Sequence, residues 1–247
     1  MGASWAHGQG YAFGIDSTNQ LYRVDLSNAS STLLGTPDGH GAIYECLGMD
    51  AGGTLYGATV FGDLFSINTT TAVSTYIGNT GLGNCEGMDW DASTGRMLLS
   101  DFSSTPSVYD VNLSTAAVQL VQTATSSGSV VRTLASRGSG SVLDVRYDVN
   151  QQGDLHGTFD LSTGTTSTVG AATQAILGMD YGLNGTLYGL SASGDLVTID
   201  PTTGVVGLVG TVNPSSYFLG MATDVVPEPV TLVGLSVALL AVLKKRR

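Results

Sequence analysis

Three aspartates recur in one short motif: Leu47-Gly48-Met49-Asp50, Glu86-Gly87-Met88-Asp89 and Leu177-Gly178-Met179-Asp180. Carboxylates repeated at one structural position could ring a channel. There they could bind Ca2+, a hard cation that takes oxygen ligands. They could also serve as acid and base on a glycosidic bond, which needs two carboxyl groups at a set separation. The alternative is local: each Asp opens the turn after its strand and accepts hydrogen bonds from nearby backbone, as the glycine and small residues close behind suggest. The matching positions elsewhere are Ala135 and Ala222, so a ring of carboxylates is expected to be incomplete.

Other candidate chemistry is thinner. Asp89–Gly95 (DWDASTG) is similar to the opening of a calcium loop, but its glycine falls one place late and Ser100 stands where a glutamate is required. His7, His40 and His156 have no metal-ligand spacing and are expected on loops or the surface. Cys46 and Cys85 each precede a Gly-Met-Asp by two residues, which makes them equivalent positions of adjacent repeats. They are candidates for a bridge in an oxidising compartment, or else two buried thiols. No nucleophile elbow, phosphate loop or dinucleotide fingerprint occurs. No catalytic residue, resident metal or cofactor is therefore expected, with Ca2+ the one cation left open, and the chain does not read as an enzyme.

The elements that would position these residues form a repeat. One turn motif occurs five times: Asp25–Ala29, Asn68–Ala72, Asn112–Ala116, Asp160–Gly164 and Asp200–Gly204, at separations of 43, 44, 48 and 40 residues. An alternating apolar run precedes each copy and a second strand-like run follows it, which predicts five strand–turn–strand hairpins. With the Gly-Met-Asp strand and a Gly-Thr-Leu-Tyr-Gly strand (53–57 and 185–189), the unit is four strands in about 40–45 residues, the size of a propeller blade. The fourth unit diverges over Val130–Val145.

The ends of the repeat fix the count. Tyr11–Thr36 aligns with Leu187–Thr211 and so lacks the first strand of its unit, which reappears at Tyr217–Asp224. The predicted fold is an all-β, five-bladed β-propeller over 1–226, closed by N- and C-terminal strands. Its blades are 11–36 with 217–224, 43–80, 84–123, 130–172 and 176–211. Closure of this kind leaves no strand edge exposed at the ends of the ring.

Charge is uneven. Of nine basic residues, Lys244, Lys245, Arg246 and Arg247 are the last four; the rest of the chain holds five arginines against 20 acids, a net charge near −15. A body this acidic repels phosphate backbones, so nucleic acid is excluded as a partner. Ahead of the basic stop, Val230–Leu243 is uncharged and carries Leu232, Val233, Leu235, Val237, Leu239, Leu240 and Val242. As a helix it would reach roughly 21 Å, short of a ~30 Å hydrocarbon core, with the terminal cations snorkelling to extend it. This predicts a single short C-terminal transmembrane helix over a 227–247 anchor segment, basic end in the cytoplasm and body outside.

Pro227-Glu228-Pro229, the apolar stretch and the basic terminus together resemble the PEP-CTERM sorting signal of Gram-negative, exopolysaccharide-making bacteria. The resemblance covers only the last ~23 residues, but three elements in the right order make it specific. It implies export, retention in the inner membrane through the helix, processing near Pro-Glu-Pro by an integral-membrane exosortase, and release to the periplasm, cell surface or exterior. The family's N-terminal signal peptide is not visible in residues 1–14, so either the natural start lies upstream or export is impaired. The expectation is an exported propeller that binds an extracellular glycan or protein, or builds the envelope or matrix. The rival is an extracellular glycosidase or lyase using channel-facing carboxylates.

Overall fold

The computed structural model describes residues 10–125, 129–138, 140–149, 154–171, 174–212 and 217–224. The sorting motif, the expected membrane helix, the basic stop and His7 lie outside the described residues.

Twenty strands form five four-stranded antiparallel sheets. In chain order they are β1 (Tyr11–Asp16), β2 (Leu21–Asp25) and β3 (Ser31–Gly35); β4 (Tyr44–Met49), β5 (Leu55–Thr59), β6 (Asp63–Ile67) and β7 (Ser74–Asn79); β8 (Cys85–Asp91), β9 (Arg96–Asp101), β10 (Ser107–Val111) and β11 (Val118–Thr123); β12 (Ser129–Ser136), β13 (Val142–Val149), β14 (Asp154–Asp160) and β15 (Thr166–Ala171); β16 (Ile176–Tyr181), β17 (Leu187–Ser191), β18 (Asp195–Ile199) and β19 (Val206–Thr211); and β20 (Phe218–Thr223). Blades 2 to 5 are four consecutive strands each. Blade 1 has the order β20-β1-β2-β3, so the last strand completes the sheet that the first strand opens. The innermost strands β20, β4, β8, β12 and β16 each pack on the next, and β16 returns to β20, closing the ring. The described residues form an all-β, five-bladed β-propeller.

Alternation of side chains across each sheet builds the core in the seams between blades. Tyr22, Val24, Tyr188, Leu190, Phe218 and Met221 fill the seam of blades 1 and 5. Phe13, Leu21, Tyr44, Leu47, Leu55 and Phe65 fill that of blades 1 and 2. Met88, Leu64 and Met97 sit between blades 2 and 3, and Leu98, Val131, Leu134, Val145 and Phe159 between blades 3 and 4.

The repeated turn locks the blades at their outer edge. In each copy the first residue's side chain accepts the amide two residues on, at 2.8 or 2.9 Å: Asp25 from Ser27, Asn68 from Thr70, Asn112 from Ser114, Asp160 from Ser162 and Asp200 from Thr202. The fifth residue then takes positive φ: 61° at Ala29, 56° at Ala72, 60° at Ala116, 71° at Gly164 and 72° at Gly204. That residue seats against the outer strand of the preceding blade. A Cβ on Gly35 would lie 3.0 Å from the Cβ of Ala72, one on Gly78 3.1 Å from that of Ala116, and one on Gly210 3.0 Å from that of Ala29. Between blades 3 and 4 the glycine is on the other partner: the outer strand carries Gln122, and a Cβ on Gly164 would collide with the Thr123 carbonyl oxygen. The motif thus closes its own hairpin and wedges one blade into its neighbour.

Candidate functional site

Each innermost strand bulges once, and all five bulges fall at the same height. Pairing skips Glu45 on β4, Glu86 on β8, Arg132 on β12, Leu177 on β16 and Leu219 on β20. A bulge turns its extra residue out of the ladder, so these five residues form one collar at one end of the ring. Glu86 is 12% exposed, and its Oε1 lies 3.7 Å from Nη1 of Arg132. The Arg132 guanidinium sits 4.7 Å above the Phe102 ring. Burial, then the charge of Glu45, pushes the Glu86 carboxyl up to about 7 against the pull of Arg132. Burial also raises Glu45. Ile43, Phe61 and Tyr217 stand exposed at this end, Phe61 at 70%. Backbone bonds join their loops: Val60 N–H donates to Ile43 C=O, Asn84 to Val60 and Phe102 to Asn84. The result is a mouth with an acidic pair, one guanidinium and apolar side chains around it.

The bulges also set the register, and the register separates the three aspartates. Asp89 pairs with Leu98 and Asp180 with Tyr188, each on the third residue after its bulge. The same height in blade 2 is Gly48, whereas Asp50 lies two residues beyond it, level with Asp91. The expected equivalence of Asp50, Asp89 and Asp180 is therefore corrected: identical strings sit at different depths, because the bulge lies three residues before Gly48 but only one before Gly87. Asp50 is a turn residue whose Oδ1 accepts the amides of Gly52 and Thr54, both at 2.9 Å. Asp91 does the same in the calcium-like DWDASTG segment, binding the amide and hydroxyl of Ser93 at 3.1 and 2.7 Å.

Asp89 and Asp180 are clips. Asp89, 4% exposed, accepts the Ser136 amide of β12 at 2.6 Å. Asp180, 8% exposed, accepts the Thr223 amide of β20 at 2.6 Å and the Thr223 hydroxyl at 2.9 Å. Each ties its blade to the next.

The cysteines obey the same correction. Cys46 follows its bulge and Cys85 precedes its own, so they are not equivalent. Both are buried free thiols in the seam of blades 2 and 3. Burial raises both, Cys85 to about 12.

His40 lies on the surface against the Phe65 and Tyr76 rings, but His156, expected on a loop or surface, is fully buried. It lies in the seam of blades 4 and 5, its Nε2 3.4 Å from Oδ1 of Asp144. Arg137 grips Asp144 through Nε and Nη2 at 2.7 and 2.8 Å, and the Tyr181 hydroxyl donates to it at 2.7 Å. These bonds hold the Asp144 carboxyl below the usual range despite its burial. Arg146, also fully buried, lies across β13–β14 from His156. Sequence reasoning missed both this cluster and the collar. The available signal was a charged residue in an otherwise apolar run, at Glu45 and Arg132.

Neither a protein-family model nor a curated protein matches the chain. Among solved structures, the chain is similar to one in a nidogen/laminin complex, with TM-score 0.57 and 11% identity over 86% of this chain and 83% of that one. It is also similar to a gluconolactonase from Xanthomonas campestris, with TM-score 0.53 and 13% identity over 85% of this chain and 79% of that one. Likeness at these identities is one of fold, and it agrees with the β-propeller class.

Proposed function

We propose that the chain is an exported, non-enzymatic propeller that displays its collar face to an extracellular glycan or protein. In this reading the Pro227-Glu228-Pro229 tail anchors it in the inner membrane and is then processed by exosortase. The supporting observation is the polarity of the ring. Asp224, the last described residue before the tail, donates its amide to Tyr11 C=O at 2.8 Å at the end of the ring opposite the collar. The tail thus starts from the face opposite Ile43, Phe61, Tyr217, Glu45 and Glu86, which is the arrangement this reading needs. Asp89 and Asp180, the channel-facing candidates for acid–base chemistry, are committed to the amides of Ser136 and Thr223, which favours binding over catalysis.

The test is expression behind a secretory leader in a host that has exosortase, with fractionation and intact mass. Loss of mass matching the tail, with protein outside the cell, supports the reading. Exported protein that keeps its tail overturns it.

One observation favours a second reading, a glycan- or lactone-active enzyme: Glu86, held near neutrality beside Glu45, has the proton affinity of a general acid. One solved neighbour is titled a gluconolactonase. Turnover of a sugar lactone or exopolysaccharide, abolished by Glu86→Gln, would replace the binding reading.

A further inference from the structure

Each sheet ends outward in a strand that pairs with no further strand among the described residues: β3, β7, β11, β15 and β19. Such an edge is a row of backbone donors and acceptors open to another strand, and natural edges are commonly guarded by charges or proline. These five hold neither. Ser31–Gly35, Ser74–Asn79, Val118–Thr123, Thr166–Ala171 and Val206–Thr211 contain no charged residue and no proline, in a chain that carries 20 acids. Each is interrupted by one bulge, where pairing skips Leu34, Ile77, Val121, Val169 or Val209. Leu34, Ile77, Val121 and Val209 pack into the seams. The residue just before each of those four bulges is left outside: Leu33, Tyr76, Leu120 and Leu208 are exposed, and Thr168 takes that place in blade 4. Three of the edges are less open than the others. Over β7 the His40 ring lies 4.6 Å from that of Tyr76, and the Ser74 hydroxyl donates to Asp38 C=O. Beside β3, Arg23 stands opposite Thr32, and β15 has no large apolar side chain to offer. The edges of β11 and β19 are the clear ones: Leu120 is 55% exposed, Leu208 68% and Val205, just ahead of β19, 66%. On the strands behind them, Asp110 is opposite Gln119 and Asp195 opposite Thr211, whose hydroxyl it accepts at 2.7 Å.

We propose that β11 and β19 are self-association edges, each pairing antiparallel with an outermost strand of a second copy of this chain. Charge argues for that occupant. A net charge near −15 sets copies against one another, and the uncharged edges are where two of them meet the least repulsion. A cationic partner would be drawn to the acidic faces instead. Shape argues for it too. A strand that meets its own copy antiparallel makes a two-fold, self-complementary contact, with main-chain hydrogen bonds supplying the attraction and Leu120 or Leu208 covered on one side. The bulges limit the contact to the residues ahead of Val121 and Val209, so each pairing is short and weak. Two such edges on one ring link copies into chains rather than closing a dimer. The association rests on the edges and does not depend on what the collar binds.

Sedimentation equilibrium on the full chain, held in a density-matched nonionic detergent that masks the apolar tail, tests this. The weight-average mass is expected to climb with protein concentration to that of a dimer or beyond. The climb should be steeper at 0.15 M salt, where charges are screened beyond about 8 Å, than at 0.01 M, where they reach about 30 Å. Leu120→Glu with Leu208→Glu puts a charge on each edge at an exposed side chain and should remove the climb. Ala51→Glu with Leu183→Glu adds the same charge at exposed turn positions and should keep it. A flat mass in the unaltered chain, a climb that survives the edge pair, or a loss equal in both pairs overturns the proposal. Amide exchange of the unaltered chain is the second measurement, should the edge pair not fold. Protection of Val118–Thr123 and Val206–Thr211 must rise with protein concentration while that of the inner strand β8 stays constant; exchange at the two edges that is independent of concentration overturns the proposal, whatever the tail does.

Discussion

The seam between blades 4 and 5 and the seam between blades 1 and 2 do the same architectural job with opposite chemistry. Between blades 1 and 2 the fill is Phe13, Leu21, Tyr44, Leu47, Leu55 and Phe65, with Tyr44 and Phe65 in edge contact at 5.5 Å between ring centroids. Between blades 4 and 5, among the described residues blade 4 contributes only Ala135 to the buried apolar cluster, and Asp144, Arg146 and His156 are buried in the same blade. An apolar seam tolerates imperfect fit, because burial is non-directional and scales with area. A polar seam stands or falls with its partners, because a buried charge that loses its counter-charge costs far more than the pair contributes. The divergent fourth repeat is therefore a stretch where the blade motif was replaced by a network of directed bonds.

The comparison is most sharply broken by Asp144→Ala. It strips Arg137 and Tyr181 of their acceptor and takes the nearby carboxylate from His156, and it should cost about 3–5 kcal/mol in denaturant unfolding. If it costs less than about 1 kcal/mol, the cluster is not what holds this seam. Leu47→Ala in the apolar seam should cost about 2–5 kcal/mol. Asp144→Asn keeps much of the shape and separates the two cases: a loss nearly as large as that of Asp144→Ala marks a charge-dependent seam. Gly78→Ala comes next. Its Cβ would lie 2.8 Å from the Thr115 carbonyl oxygen, so overpacking of about 1–3 kcal/mol is expected, visible as a lower melting temperature.

The smallest effects lie in pH. Asp144 is depressed, so its contribution is present above the ordinary carboxylate pKa and is lost as pH falls through its folded value. Glu86 is raised to about 7, so its contribution is full in mild acid and is lost as pH rises through 7. Thermal stability should therefore peak in mild acid, and Glu86→Gln should flatten only the alkaline side. A peak that leaves the acid limb unchanged in Asp144→Asn would detach that limb from the seam.

Much of the architecture was legible in the chain, and for a physical reason. The Asp/Asn-initiated turn is a local device: its side chain bonds the amide two residues on, and its fifth residue takes positive φ wherever the chain runs. Five copies at near-constant spacing therefore count five hairpins, and the half unit at each end points to closure. Depth was not legible. Gly48-Met49-Asp50 and Gly87-Met88-Asp89 are the same string, yet a bulge two residues farther upstream moves one aspartate out to a turn and leaves the other in the wall. Bulge position depends on how a strand meets its partner, which no local string encodes.

Composition, turn spacing and alternation, all properties of neighbouring residues, by themselves determined that this chain is an all-β ring of five similar sheets with an acidic body. Only the tertiary structure decided which charged residues meet. Glu45, Glu86 and Arg132 come from three blades, and Asp144, His156 and Tyr181 from two. Their encounter is set by register and by blade packing around the axis. A carboxyl group's role here, as turn, clip, collar or seam partner, follows from the height at which its strand is held.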